Sequence, residues 1–403
     1  MLDTNFIVRE PLLDPKQTVL GYELSLQGGG GKRPGDTDFV DLAGFIAEHW
    51  NREETGWLFG EQLIFLDASP ALVLSGALAG LPAKNLVLAV PASDLSNADM
   101  LEAFSALRSL GCGILLRDAD LQGEHKNLLP LASHIELLCE VPNFGDQVKS
   151  TLAVKPGTTR VVARRALSWE AFDACAAQGL DSLIGNVYMT SRPGSHPKGL
   201  NPAQTMILQL MDMVRKNADV RKLEEVLKRD AGLSYKLLRY INSAGFGLGA
   251  EIQSLRHAVT MLGYSPLYRW LSVLLATAST AGYSPVLMHT AIVRGRFAEL
   301  LGKGFIPKSE VENLFVAGMF SLLDRLLGVP MADLLENVQL SEPVTQALLA
   351  REGMYGPFLA LAEACEFGNN EQIGELADSL FISPVQVNEA HLAALAWAQS
   401  LKI

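Results

Sequence analysis

The chain has 403 residues and a formal net charge of −11. This length predicts two or three domains, and the apolar share of 49% is enough for each domain to bury a core. The acidic total disfavours non-specific binding to nucleic acids and to anionic membranes, because both attract basic proteins. No apolar export segment is visible around Asp3, Arg9 and Glu10, so the expected location is the cytoplasm.

The four cysteines are Cys112, Cys139, Cys175 and Cys365, and they lie far apart in the sequence. None of them belongs to a C-x-x-C pair. We expect buried, reduced thiols, which fits a reducing cytosol.

In the first half of the chain, short apolar runs alternate with segments of helical spacing. Short buried strands that alternate with helices predict a parallel sheet, and so many repeats predict a β/α barrel. Helices are expected at 98–110, 121–131 and 169–178. Strands are expected at 63–66, 86–90, 113–116, 135–138, 161–163 and 183–184.

Residues 191–199 are rich in Ser, Pro and Gly and indicate a linker. Beyond the linker, apolar residues recur at three- and four-residue spacing, which predicts a compact helical bundle with no sheet. The predicted fold class is α/β plus all-α, with a barrel over 1–194 and a helical domain over 199–403. Predicted N-caps are Asp219, Ser234, Ser254 and Ser309, and predicted C-caps are Gly263 and Gly302.

An uncharged stretch runs from Trp270 to Val293 and is long enough to cross a bilayer. It also contains many polar residues, and the segment A-G-Y-S-P at 281–285 breaks the helical pattern. The stretch therefore predicts two buried helices joined by a turn, and no membrane partner is expected.

A basic stretch lies between Arg215 and Arg239. It holds eight Lys and Arg residues against four acidic ones. A solvated helix face is the expected interpretation, and a docking patch for an acidic partner or nucleic acid is the alternative. Because the whole chain is acidic, nucleic acid is not expected as a partner.

Two parts of the chain resemble known families. Residues 6–24 read F-I-V-R-E-P-L-L-D-P-K-Q-T-V-L-G-Y-E-L and resemble the start of the EAL-domain variant that is fused ahead of HDOD domains. Residues 229–247, R-D-A-G-L-S-Y-K-L-L-R-Y-I-N-S-A-G-F-G, and 254–263, S-L-R-H-A-V-T-M-L-G, resemble the HDOD signature. Residues 315–324 resemble the closing part of the same fusion. The resemblance implies a bacterial signalling protein with an EAL-type barrel and an HDOD domain, a relative of HD-type phosphohydrolases.

The EAL resemblance also implies a site. An active EAL domain hydrolyses cyclic di-GMP with two metal ions held by carboxylates and an Asn. Here arginines stand at two ligand positions and would repel divalent cations, so we expect no metal and no catalytic residue. The vestigial positions are Glu23 (first Glu ligand), Asp67 (Asn ligand), Arg117 and Asp118 (paired Asp), Glu136 (catalytic Lys), Arg164 (a further Glu) and Ile184 (Gln of a Gln-Gly pair).

The helical half leads to the same expectation. HD phosphohydrolases need an adjacent His-Asp pair, and none of the seven histidines is followed by Asp. His257 is expected to be a partly buried helix residue, and Asn242 with Ser243 is expected to form a helix end. The candidate binding residues are Arg117, Arg164, Arg165, Asn242, Ser243 and His257.

These observations predict a signalling adaptor rather than an enzyme. Two degenerate enzyme folds in one chain would act through contacts with other signalling proteins, without a cofactor. The alternative is a cyclic di-GMP receptor, or a residual phosphodiesterase, that binds phosphates through Arg117, Arg164 or Arg165. The second alternative is a nucleic-acid-binding regulator.

Overall fold

The computed structural model describes residues 2–28, 35–50, 60–190, 192–193, 200–242, 252–278, 284–337, 340–367 and 370–401. Its contacts divide the chain into two compact units. The first unit is Met1–Pro193 with Ala364–Glu375 and Ser383–Asn388, and the second is Gly194–Glu363 with Leu376–Ile382 and Glu389–Ile403. The predicted domain limits, 1–194 and 199–403, stay a prediction.

Eight strands of the first unit close into a barrel in chain order. The first strand runs antiparallel to both of its neighbours, and all other neighbours are parallel. The predicted barrel is confirmed, and each apolar run became a strand because it is buried on both faces. The strands are β1 Asn5–Leu13, β2 Val19–Gly28, β3 Leu63–Asp67, β4 Leu86–Pro91, β5 Gly113–Arg117, β6 His134–Leu138, β7 Arg160–Arg164 and β8 Ser182–Ile184.

The barrel interior is a packed apolar core. A Cβ at Gly21 would overlap the backbone carbonyl of Leu63, so only glycine fits where β2 approaches β3. The interior residues are less than 3% exposed: Leu12, Phe65, Val87, Ala89, Leu115, Val162 and Ile184.

Five helices lie in the described part of the barrel segment. The prediction of a helix at 121–131 is wrong, since this segment contains only one short 3₁₀ turn, Lys126–Leu128. The Asp120 carboxylate accepts hydrogen bonds from the backbone N–H groups of Gln122 (3.2 Å) and Gly123 (3.0 Å), which favours a turn over a helix. The helices are α1 Asp36–Trp50, α2 Pro70–Leu74, α3 Ala98–Ser109, α4 Phe144–Val154 and α5 Trp169–Ala177.

The first unit also uses residues from near the end of the chain. The Asn388 amide oxygen accepts from the Ile7 N–H at 2.7 Å, and its amide nitrogen donates to the Asn5 carbonyl at 2.9 Å. Asn388 is fully buried. A buried ion pair joins Arg9 and Glu366 at 3.0 Å. These side chains satisfy polar groups of β1 and its surroundings that would otherwise be buried without partners.

The second unit is helical, as predicted. Ser254 caps its helix as expected, and Gly263 ends that helix with a φ of 87°. The N-cap predicted at Ser234 is wrong: Asp230 caps that helix, and its carboxylate accepts from the Leu233 N–H at 3.0 Å. A carboxylate is a strong acceptor for a helix N-terminus, so the helix begins before Ser234. The caps predicted at Ser309 and Gly302 are also wrong, since Pro307 is the N-cap and Lys303 the C-cap of the helices concerned. The remaining helices of the chain are α6 Pro202–Arg215, α7 Val220–Leu227, α8 Ala231–Ile241, α9 Leu255–Leu262, α10 Tyr264–Thr277, α11 Pro285–Gly302, α12 Lys308–Phe320, α13 Leu323–Leu327, α14 Met331–Asn337, α15 Glu342–Ala350, α16 Gly356–Phe367, α17 Asn370–Ser379 and α18 Pro384–Ser400.

The uncharged stretch forms two buried helices, α10 and α11, as expected; residues 279–283 lie outside the described residues. In the part of the chain that the structure describes, no helix is long and apolar enough to cross a membrane. Helix α11 packs closely on α12, because a Cβ at Gly318 would overlap the backbone of Gly295. Near this crossing the buried Arg269 pairs with Glu299 at 2.8 Å and stacks over the Phe315 ring.

His134, the first residue of β6, predicts a pH dependence of barrel stability. Burial lowers its pKa from 6.5 to about 4. Between these values the unfolded chain binds more protons than the folded one, so stability is lost as the pH falls below 6.5. Lowering the pH from about 7 to about 5 should therefore cost the wild type about 2 kcal/mol more stability than it costs His134→Asn. Urea unfolding at both pH values measures this difference, and parallel pH profiles would refute it.

Candidate functional site

Charged side chains from several strands meet at one end of the barrel. Arg117 and Arg164 are the last residues of β5 and β7, and Asp67 is the last residue of β3. Glu23 lies on β2 and Glu136 on β6. Strands β2 to β8 run parallel, so their carboxyl ends open on the same side, which is where barrel proteins place their sites.

The two arginines share two buried carboxylates. Arg117 Nη2 lies 2.5 Å from Glu23, and its Nε lies 3.2 Å from Glu136. Arg164 Nε lies 2.8 Å from the same Glu136 oxygen, and its Nη2 also donates to Glu23. The two carboxylates are only 7% and 6% exposed, so they hold both guanidinium groups in fixed positions.

Two further carboxylates contact the arginines from the outer side. Arg117 Nη1 donates to Asp67, and Arg164 Nη1 lies 3.6 Å from Glu10. The side chains of Asp67 and Glu10 are 38% and 37% exposed, whereas both arginines are 19% exposed. An exposed carboxylate is readily solvated, so these outer contacts cost little to exchange for another anion.

The pKa values of the groups in this cluster show that its arginines stay positively charged. Burial raises the pKa of Glu23, and the positive charges of Arg164 and Arg117 lower it again only in part. Burial alone would lower the pKa of Arg164, but Glu23 and Glu136 raise it above its ordinary value. The guanidinium groups therefore remain donors at any physiological pH.

The backbone turns sharply after both arginines. Asp118 has a φ of 52° and Arg165 a φ of 59°, so each strand ends in a left-handed residue. Non-glycine residues adopt this conformation at a cost, and such strain is common at functional sites. Asp118 lines a cleft next to the ion-pair cluster.

A cleft of about 430 Å³ lies between the ends of β5 and β6 and helix α4. It adjoins the ion-pair cluster because Glu136 belongs to both. The cleft is partly polar, and its polar lining residues are Asp118, Asp120, Gln122, Glu136, Gln147, Ser150 and Thr151.

The carboxylates of this site do not fit a pair of divalent cations. Glu23, Glu136 and Asp67 already accept from guanidinium groups that stand among them. A divalent cation there would face two fixed positive charges at short range. Among the described residues, no group of three or more His, Cys, Asp or Glu side chains is arranged to hold a metal ion.

The other predicted positions lie apart from the cluster. Ile184 is a core residue, 1% exposed. Arg165 pairs with Glu140 at 3.2 Å on the surface. In the second unit, the Asn242 amide is used by two hydrogen bonds to the Ile252 backbone, and His257 follows the Ser254 cap in the first turn of α9. Ser243 lies outside the described residues.

Sequence reasoning found the two arginines but missed their arrangement. It placed Glu136 at a lysine position without a partner, yet this carboxylate bridges both arginines. It also did not name Glu10 as a site residue, although the antiparallel pairing of β1 with β2 sets Glu10 opposite Glu23. Single charged residues in otherwise apolar strands, such as Glu23 on β2 and Glu136 on β6, are the signal that was available.

The chain thus consists of a barrel with an antiparallel first strand and charged residues at its carboxyl end, and of a helical unit. A family model for the HDOD domain matches residues 200–337. The resemblance to the HDOD domain seen in the sequence is confirmed over these residues, and the closed eight-stranded barrel agrees with the predicted fold class.

Relatives match nearly the whole chain. "Cyclic di-GMP phosphodiesterase CdgJ" of Vibrio cholerae serotype O1 is 25% identical over 422 residues, which cover 99% of this chain and 93% of the relative. The protein YuxH of Bacillus subtilis is 23% identical and covers 98% of both chains. Among solved structures, the complex of the PaMucR phosphodiesterase with c-di-GMP is similar to 45% of this chain and 94% of its own, with 21% identity and a TM-score of 0.38.

These findings correct one expectation. The prediction that the chain is not an enzyme is wrong, because a relative that aligns along its whole length is named a cyclic di-GMP phosphodiesterase. That expectation rested on the arginines that stand at metal-ligand positions, Arg117 and Arg164.

Proposed function

We propose that the barrel binds cyclic di-GMP at its carboxyl end and hydrolyses it, as the name of its Vibrio cholerae relative indicates for that protein. The observation that carries the proposal is the pair of arginines, Arg117 and Arg164, at the barrel mouth. Cyclic di-GMP has two phosphodiesters with one negative charge each, and guanidinium groups bind such oxygens through paired hydrogen bonds.

The outer carboxylates, Asp67 and Glu10, can be replaced by phosphate oxygens as partners of the arginines. Asp67 and Glu10 are more than a third exposed, and they can turn into water as phosphate oxygens take their donors. Glu23 and Glu136 stay buried and keep the arginines in position. The cleft beside Glu136 has room for the rest of the nucleotide.

Hydrolysis adds one water across a P–O bond and gives a linear dinucleotide. Negative charge grows on the phosphoryl oxygens as the water attacks, and fixed guanidinium groups stabilise this charge. Asp118 lines the cleft and is the carboxylate we propose to accept the proton of the attacking water. No step passes through a metal ion, since the carboxylates of the site do not fit one.

The test is titration calorimetry of the full chain with cyclic di-GMP, first in EDTA and then in Mg²⁺, followed by chromatography of the nucleotide. We expect binding in EDTA and accumulation of linear dinucleotide. Binding without linear product would overturn the hydrolytic part and leave a receptor. No binding in either buffer would overturn both parts.

Contact with other signalling proteins is a second proposed function, and it concerns the HDOD domain. Tyr235 on α8 and Met261 on α9 are large apolar side chains that are 68% and 49% exposed. Exposed aromatic and Met residues are enriched at protein interfaces. A photo-cross-linker at position 235 should capture a specific partner in cells, whereas one at the equally exposed Leu167 of the barrel should not. Two expectations from the sequence stay proposals. They are a cytoplasmic location and a function that does not involve nucleic acid.

A further inference from the structure

Two cysteines that are far apart in sequence meet at the barrel. The sulfur atoms of Cys139 and Cys175 lie 3.6 Å apart, and both thiols are free. Cys139 directly follows β6 and is partly exposed, whereas Cys175 lies on α5 and is fully buried. The expectation of buried thiols holds for Cys175, whereas Cys139 is only partly buried.

We propose that Cys139 and Cys175 are a redox modification site that oxidises to a disulfide. A disulfide needs an S–S distance near 2.05 Å, so the sulfurs must approach by about 1.5 Å. Side-chain rotation of Cys139, at the end of its strand, can supply a movement of this size. The hydrogen bond between the thiols lowers the pKa of Cys175, because donation from Cys139 favours its thiolate.

Hydrogen peroxide is an oxidant of suitable size for this site. One thiolate attacks the O–O bond and becomes a sulfenic acid, and the released hydroxide takes up the proton that the thiol lost. The second thiolate then attacks this sulfur, the S–S bond forms, and the S–O oxygen leaves as water. Two thiols and one peroxide thus give one disulfide and two waters.

The pair is linked directly to the arginine site. The Cys139 backbone N–H donates to the carbonyl of Arg164 at 3.0 Å, and Glu140 pairs with Arg165. A covalent bond from Cys139 to α5 would therefore pull on the ends of β6 and β7. These strands carry Glu136 and Arg164, whose positions set the geometry of phosphate binding. This regulatory part rests on the proposed function, whereas the disulfide chemistry does not.

The first experiment treats the reduced full chain with hydrogen peroxide, blocks free thiols under denaturing conditions, and identifies linked peptides by mass spectrometry. We expect the loss of two hydrogens and one peptide pair that joins Cys139 to Cys175. C139S and C175S should each abolish the linkage, and C365S, at a buried thiol elsewhere, should leave it intact. Oxygen addition at single cysteines without linkage would overturn the site.

The second experiment titrates the reduced and the oxidised chain with cyclic di-GMP. We expect the oxidised chain to bind about tenfold more weakly, with recovery after reduction, and no effect of peroxide on C175S. Equal affinities would overturn the regulation and leave the disulfide. If neither form binds the nucleotide, the proposed function fails, while the linkage measurement still decides whether the thiols form a disulfide.

Discussion

Arg117→Gln should weaken cyclic di-GMP binding about 10- to 100-fold, because it removes charge-assisted hydrogen bonds that contribute about 1.5–3 kcal/mol. Arg164→Gln should act similarly, and the double variant should show no measurable binding. Calorimetry of the full chain is the measurement. Arg160→Gln is the matched control, since Arg160 is an exposed residue at the opposite end of the same strand as Arg164.

Loss of folding must be separated from loss of binding in these variants. Without Arg117, the buried Glu23 loses a partner, and burial already raises its pKa. A raised carboxyl pKa means that the folded state takes up a proton, so the associated stability is present at low pH and lost as the pH rises. Arg117→Gln should therefore be destabilised more at about pH 8 than at about pH 5.

A second substitution removes this complication. Arg117→Gln combined with Glu23→Gln removes the buried carboxylate that would lose its partner, while Arg164 keeps its hydrogen bond to Glu136. The double variant should therefore regain most of the thermal stability without regaining nucleotide binding. If this double variant folds and binds cyclic di-GMP as the wild type does, Arg117 does not contact the phosphate and the proposed site is wrong.

Asn388→Leu should lower the free energy of unfolding by about 2–6 kcal/mol, since it leaves two buried backbone groups without partners at about 1–3 kcal/mol each. These groups are the N–H of Ile7 and the carbonyl of Asn5 on β1. Strand β1 pairs with β8 only at Leu12 and Leu13, so Asn388 takes the place of a neighbouring strand along the rest of this edge. Urea denaturation measures the loss, and Asn127→Leu at an exposed position is the control.

Asn388→Asp gives a sharper test of the same contacts. An ionised carboxylate accepts from Ile7 but cannot donate to the Asn5 carbonyl, whereas a protonated one can do both. Burial raises the pKa of such a carboxyl group, so the variant should be unstable near neutral pH and should recover as the pH falls. A loss that does not change with pH would contradict the assigned hydrogen bonds.

Much of the fold could be predicted from the sequence. Strands β3 to β8 appear as short apolar runs because each is buried on both faces of the sheet, and buried positions require apolar residues. The polar residues and the turn segment of the uncharged stretch correctly predicted its two helices. Local competition produced the errors: Asp120 turned a predicted helix into a turn, and Asp230 displaced Ser234 as a cap.

The sequence also determined which charges stand at the ends of the strands, including the two arginines. Only the tertiary structure decided what these charges do, because ion pairs such as Arg117 with Glu23 and Arg164 with Glu23 join residues from different strands of a closed barrel. The tertiary structure likewise places Cys139 beside Cys175. Such contacts depend on strand order and register, which no local pattern encodes, whereas the propensity of each strand and helix depends on residues close together in the chain.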